Sequence, residues 1–321
     1  MNRYIGHPSQ LYGVEEVRLV GGKGDGMRLL QVNNGAGLAF TVSADRAADI
    51  SRLSYKSENF GYFAPCGYAA PSYYDSVGIG FLKSFTAGFL TTCGLANVGN
   101  PCEDDGETLP LHGTVSHIPC ENIYHFIEND AIHIRAAVRD ARLFGRKLLL
   151  EREYIVPLFG RELTVTDTVR NIGSADSPVQ LLYHFNVGYP LLSETTELSI
   201  PAVSTTPRNA HAAEGLADCL KMEAPQADYE EMCFYHKMTG EANVTVYNPA
   251  INKGFTMTYD TAKLPYFTEW KMMGEQDYVL GVEPGNAHPD GRDVMREQGA
   301  LTVVKPGACV SHSIKFTFFE K

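Results

Sequence analysis

The 321-residue chain is 44% apolar and 20% charged, an ordinary globular profile with enough length to bury a large core. Its formal charge of −11, with no basic stripe or Lys/Arg run, sets aside nucleic acid and anionic membranes as partners. No apolar run of about 18 residues is present, so no membrane-spanning helix is expected.

The stretch Met1-Asn-Arg-Tyr-Ile-Gly-His7 lacks the apolar centre of a signal peptide, which points to the cytoplasm. Cys66, Cys93, Cys102, Cys120, Cys219, Cys233 and Cys309 are odd in number, irregularly spaced and without a Cys-x-x-Cys pair. They are expected to be reduced and mostly buried. Cys102, His112, His117 and Cys120 fit no common metal-binding spacing, so neither a metal nor a cofactor is expected.

Along the chain, Gly21-Gly-Lys-Gly-Asp-Gly26 is a loop without the Gly-Lys-Ser/Thr of a phosphate cradle. Leu38–Val42 is strand-like and leads into Asp45-Arg-Ala-Ala-Asp-Ile50, a charged cluster expected as an exposed turn with local salt links. Residues 55–110 are rich in Gly, Tyr, Phe and Asn and weakly periodic, the character of an irregular site wall. From about residue 120 strands dominate: 131–138, 148–156 and 162–170, then 179–190, 196–200, 243–247, 254–259, 278–282, 301–304 and 313–319. The best helical segment is the short 212–221. With no linker and no repeat, residues 1–321 read as one all-β domain with two stacked or wrapped sheets.

Two of these strands carry candidate chemistry. In Val179-Gln-Leu-Leu-Tyr-His-Phe-Asn-Val-Gly-Tyr189, His184 and Asn186 share a face with Gly188, opposite the apolar Leu181, Tyr183 and Phe185. In Asp277-Tyr-Val-Leu-Gly-Val-Glu-Pro-Gly-Asn286, Glu283 shares a face with Gly281, two residues before it, as at a pocket floor. Pro284-Gly285 is expected to end that strand. A lone buried histidine is more often a satisfied core residue, and a lone terminal glutamate a solvated one. Together they suit opening of a sugar hemiacetal, which needs a base at the anomeric hydroxyl and an acid at the ring oxygen. A carboxylate is ionised at neutral pH, and an imidazole of pKa about 6.5 has both forms within reach.

Six stretches carry a family resemblance, in order along most of the chain. They are Asp45-Arg-Ala-Ala-Asp-Ile50, Thr92-Cys-Gly-Leu-Ala-Asn-Val98, Leu111-His-Gly113, Tyr183-His-Phe-Asn186, Glu269-Trp-Lys-Met-Met273 and Gly281-Val-Glu-Pro284. The sequence resembles the aldose 1-epimerase (galactose mutarotase-like) superfamily, and within it a bacterial branch that forms a domain of unknown function. The resemblance implies a large antiparallel β-supersandwich with few short helices and a carbohydrate cleft over one sheet. It implies Glu283 as base, His184 as acid and His112 as a second histidine near the ring oxygen. Substrate contacts are then expected from Arg46, Asp49, Lys83, Asn97, Asn186, Trp270 and Lys271. The aspartate that holds sugar hydroxyls in well-studied mutarotases has no placed counterpart, and Trp270-Lys271 stands in its region. The sugar-binding arginine of those enzymes has no clear match, leaving Lys83 or Arg46 as substitutes.

The partner expected is a small-molecule sugar or sugar derivative, and a homodimer is left open. Lys83, Arg46 and Lys271 near the motifs suggest an anionic group on the substrate, unless they pair with Asp45, Asp49 and Glu269. The leading function is anomer interconversion. The alternatives are a non-catalytic carbohydrate-binding or sensing protein on the same fold and, last, a glycoside hydrolase or lyase, for which only one carboxylate stands out.

Overall fold

The computed structural model describes residues 3–321; Met1 and Asn2, part of the expected domain and of the reading of the chain's start, lie outside the described residues. Alternation becomes strand wherever one face meets the core. Glu162–Asn171 alternates between buried and half-buried along its whole length, with Leu163, Val165 and Val169 inside.

An eight-stranded sheet has the order Asn122–Glu128, Ala131–Ala141, Lys147–Pro157, Glu162–Asn171, Cys309–Phe319, Lys253–Asp260, Glu241–Asn248, Glu197–Ser199. A seven-stranded sheet runs Ser204–Pro207, Met232–Lys237, Tyr266–Met273, Tyr278–Gly285, Ser177–Val187, Thr302–Val304, with Leu90–Leu95 also paired to Ser177–Val187. A five-stranded sheet comprises Gly13–Arg18, Arg28–Asn33, Leu38–Ser43, Asp49–Tyr55 and Glu58–Asn59. Neighbouring strands in all three are antiparallel. Their inner faces meet in one apolar cluster that includes Phe40, Tyr154, Tyr183, Phe185, Val282 and Phe316. The Phe185 and Phe316 rings, 4.8 Å apart and edge to face, join the two large sheets. This is the expected antiparallel β-supersandwich.

Four local expectations are corrected. The strand Tyr278–Gly285 continues through Pro284, which lies opposite Phe267. On its other side the ladder to Ser177–Val187 pairs Leu182 with Gly285 and next Phe185 with Val282, so pairing skips the stretch holding His184 and Glu283. Proline supplies no donor there, and the opened ladder sits at the two residues of interest. The 55–110 segment contains the strand Leu90–Leu95, buried at all six positions, which is why it shows no alternation. The 45–50 turn is largely buried: Tyr154 donates its hydroxyl proton to Ala48 O at 2.7 Å and Arg152 bonds Ala47 O at 3.2 Å. Alanines permit that approach. The 212–221 helix is a short helix, Ala210–Glu214, followed by a 3-10 turn at Leu216–Asp218, and a second helix, Arg292–Glu297, had no clear periodic signal.

Candidate active site

Strand register assembles the site. Thr268 lies opposite Glu283 and Tyr235, and Trp270 lies opposite Gly281 and Cys233. Directly opposed residues of antiparallel strands project to the same side, so Cys233, Tyr235, Thr268, Trp270, Gly281 and Glu283 share one face. Asn186 lies opposite Gly281, which puts His184 on that face too. The opposite face, with Phe185, Leu280 and Val282, goes to the core.

Over this face lies a cleft of about 290 Å³, lined by His112, His184, Glu283, Trp270, Thr268, Cys233, Glu231, Arg208, Asn100 and an apolar wall including Phe81, Phe85 and Leu111. Two wider hollows, about 520 and 700 Å³, lie on outer sheet faces. In the larger one Arg135 is spent on Glu153 at 2.8 Å, and neither contains the His–Glu pair.

His184 Nε2 and Glu283 Oε1 are 3.2 Å apart, with 5% and 2% of the residues exposed. Among the described residues neither His184 Nδ1 nor Glu283 Oε1 has an aligned hydrogen-bond partner. Burial dominates both groups. It lowers the His184 imidazole to about 4 and raises the Glu283 carboxyl well above the usual carboxylate range. Glu231 raises Glu283 further, while Arg208 pulls the other way. With the imidazole lowered and the carboxyl raised, burial favours one proton on the pair, resting on Glu283 beside a neutral His184.

His112 is set by its backbone. It has φ of 56° in the turn before Gly113, a left-handed conformation uncommon for a side-chain-bearing residue. Its Nδ1 accepts the Gly99 N–H at 3.2 Å. Burial lowers the ring to about 3, so it is neutral, and Nε2 then carries the proton. The His112 and His184 ring centres are 5.7 Å apart. Trp270 meets His184 edge to face at 5.2 Å and donates Nε1–H to Glu231 Oε2 at 2.6 Å.

The remaining expected contacts lie elsewhere. Arg46 is buried, with its guanidinium spent on the carbonyls of Ser116, Ala69 and Ser84 and on His117 Nε2, so it braces loops. Asp49 accepts from Thr92 and Arg152 inside the core. Lys83 is exposed and paired with Asp75 at 2.7 Å. Asn97 donates to the carbonyls of Asn100 and Pro110, shaping the loop that carries His112 without lining the cleft. Lys271 alternates away from Trp270 and bonds Lys221 O and Glu223. Asn186 is next to the pair, but its amide donates to His184 O at 2.9 Å. An anionic substrate group held by Lys83, Arg46 and Lys271 is thus corrected, as are their supposed partners: Asp45 pairs with Arg28, Asp49 with Arg152 and Glu269 with His236.

Sequence reading missed Arg208, Glu231, Cys233 and Thr268. Parity with Trp270 and Glu283 would have found Thr268, and the alternation Cys233–Tyr235 against Phe234–His236 marks a strand. Arg208 carries no such signal. It follows the edge strand Ser204–Pro207 and is held by Asn100 Oδ1 at 3.1 Å, Pro289 O at 3.0 Å and Asp290 at 3.3 Å.

Gly281 makes room for the Glu283 carboxyl. A Cβ there would collide with Glu283 Oε1 and crowd Trp270. Gly281→Ala is expected to turn the carboxyl away from His184 while the protein stays folded, and to cut at least tenfold any turnover that depends on this pair. Steady-state kinetics beside a thermal melt checks this.

Comparison with known proteins places the chain. The model of a family described as "Domain of unknown function (DUF4432)" matches residues 24–318. A structure from Klebsiella pneumoniae subsp. pneumoniae MGH 78578, described as a candidate aldose 1-epimerase, superposes with a TM-score of 0.90 at 25% identity, over 97% of this chain and 84% of that one. A galactose mutarotase-like protein from Clostridium acetobutylicum gives 0.70 at 12% identity, over 97% and 100% of the two chains. A galactose 1-epimerase from Lactobacillus acidophilus NCFM gives 0.65 at 13%, over 96% and 99%. No curated protein matches in sequence. The chain belongs to the DUF4432 family and has the mutarotase-like fold.

Proposed function

We propose that this DUF4432 protein interconverts the anomers of a free sugar by general acid–base ring opening, with Glu283 and His184 as the reacting pair. The observation that carries the reading is their 3.2 Å approach at the floor of a cleft that also holds His112. Glu283 as carboxylate takes the proton of the anomeric hydroxyl. The bond from C1 to the ring oxygen breaks, and its electron pair leaves with that oxygen. His184 as imidazolium protonates the oxygen, giving the open-chain aldehyde. The pair now holds its proton on Glu283 with His184 neutral, the form that burial favours. Rotation about C1–C2 and the reverse transfers close the ring on either face. His112, with a proton on Nε2, is the donor to the ring oxygen in the bound sugar.

The protonation scheme fixes a pH profile. Below about pH 4 His184 takes a second proton onto the pair while Glu283 stays protonated, so no base remains. Above the raised Glu283 value the last proton is lost and no acid remains. Catalytic efficiency is expected to rise through about pH 4, level off and fall at an alkaline limb above the ordinary carboxylate pKa of about 4.3.

Polarimetry or NMR exchange across an aldose panel tests the function. Anomer exchange faster than buffer for at least one sugar is expected. Saturable binding without acceleration of any sugar would replace the enzyme with a sugar-binding protein.

A further inference from the structure

Polar and apolar groups are unevenly distributed around the cleft. The polar ones, Thr268, Glu231 and Arg208 among them, come from the sheet and from the segment after Ser204–Pro207. The facing wall, built by residues 79–85 and Leu111, offers Ile79, Phe81, Leu82, Phe85 and Leu111. Ile79 and Leu82 remain 71% and 53% exposed at the rim, while Phe81 and Phe85 are buried behind them against the two imidazoles. Large apolar side chains left open beside a buried reacting pair mark a surface that something apolar covers.

The wall has a definite place relative to the chemistry. Phe85 lies edge to face against His184, ring centres 5.4 Å apart, and Phe81 lies 5.4 Å from His112. Both imidazoles serve the ring oxygen in the proposed function, on which this inference rests. The substituent on the carbon next to that oxygen, C5 of a pyranose, is therefore carried toward the two phenylalanines. A hydroxymethyl group would bring a hydroxyl to a wall without a side-chain partner for it, whereas a methyl group fills the same space and keeps the contact.

We propose that the preferred substrate is a 6-deoxyhexose, and that Phe81 and Phe85 set this preference. An apolar pocket discriminates only moderately against an added hydroxyl, so the expected ratio of kcat/KM is about 10- to 100-fold. The test uses sugar pairs that differ only at C6: D-fucose with D-galactose, L-fucose with L-galactose, L-rhamnose with L-mannose. NMR exchange gives kcat/KM, and calorimetry gives Kd on the wild-type chain. A deoxy preference of tenfold or more in at least one pair is expected, and Phe85→Tyr, which restores a hydroxyl partner, should shrink it at least threefold. Turnover of the hexose equal to or faster than its deoxy partner in every pair overturns this inference and leaves the mutarotase reading standing. If no sugar is turned over, the mutarotase reading fails. In that case tighter binding of the deoxy member still supports the preference, and equal or absent binding overturns it.

Discussion

In Glu283→Gln the rate of anomer exchange is expected to fall by about 10²- to 10⁴-fold, the usual contribution of a positioned acid–base group. The amide keeps the shape of the side chain over Gly281 but cannot take the anomeric proton. Stability should move the other way. The folded-state carboxyl is raised by burial, so its stabilising contribution is complete below the unfolded value and is lost as pH rises through the folded one. At pH 7 the wild type bears that loss and the glutamine does not, so Glu283→Gln should melt at or above the wild-type temperature. Loss of rate together with loss of fold would make Glu283 a structural residue. A folded variant at the wild-type rate would remove it from the chemistry.

Arg152→Met is expected to destabilise the fold by about 3–5 kcal/mol, measured by urea denaturation. Arg152 is fully buried and bridges the sheets: Nη1 reaches Asp49 at 2.7 Å, Nη2 reaches Thr92 Oγ1 at 2.7 Å, and Nε and Nη2 reach Asp167 at 2.8 and 2.6 Å. Methionine fills much of the volume but leaves two buried carboxylates without their cation. Adding Asp49→Asn and Asp167→Asn should return most of the loss, because the penalty comes from the uncompensated charge. The site should feel it as well. Thr92, held by this network, lies in Leu90–Leu95, whose Thr91 is opposite His184. A stability change below about 1 kcal/mol would show that the network contributes little.

The sandwich was legible wherever only one face of a strand is committed to the core, as in Glu162–Asn171 and Lys147–Pro157. There period-two alternation reports burial directly. Leu90–Leu95 is buried on both sides and so offers no contrast to read. The same rule divides the site. Parity along two strands placed His184 opposite the apolar face and Glu283 beside Gly281, whereas His112 was marked only by the family resemblance of the Leu111-His-Gly113 stretch.

Composition and proximity in sequence misled for the cations. Arg46, Lys83 and Lys271 stand beside motif residues, yet neighbours along a strand point to opposite faces, and a buried guanidinium goes to whatever carbonyls surround it. Arg208 shows the converse. Nothing local marks it, because the groups that hold it, Asn100, Pro289 and Asp290, lie about 80 to 110 positions away in the chain. The sequence by itself determined which side chains leave each strand on which face, since that follows from backbone geometry residue by residue. Only the tertiary structure decided which faces meet, which charges are compensated and which wall confronts the imidazoles, because these depend on contacts between segments that no local pattern encodes.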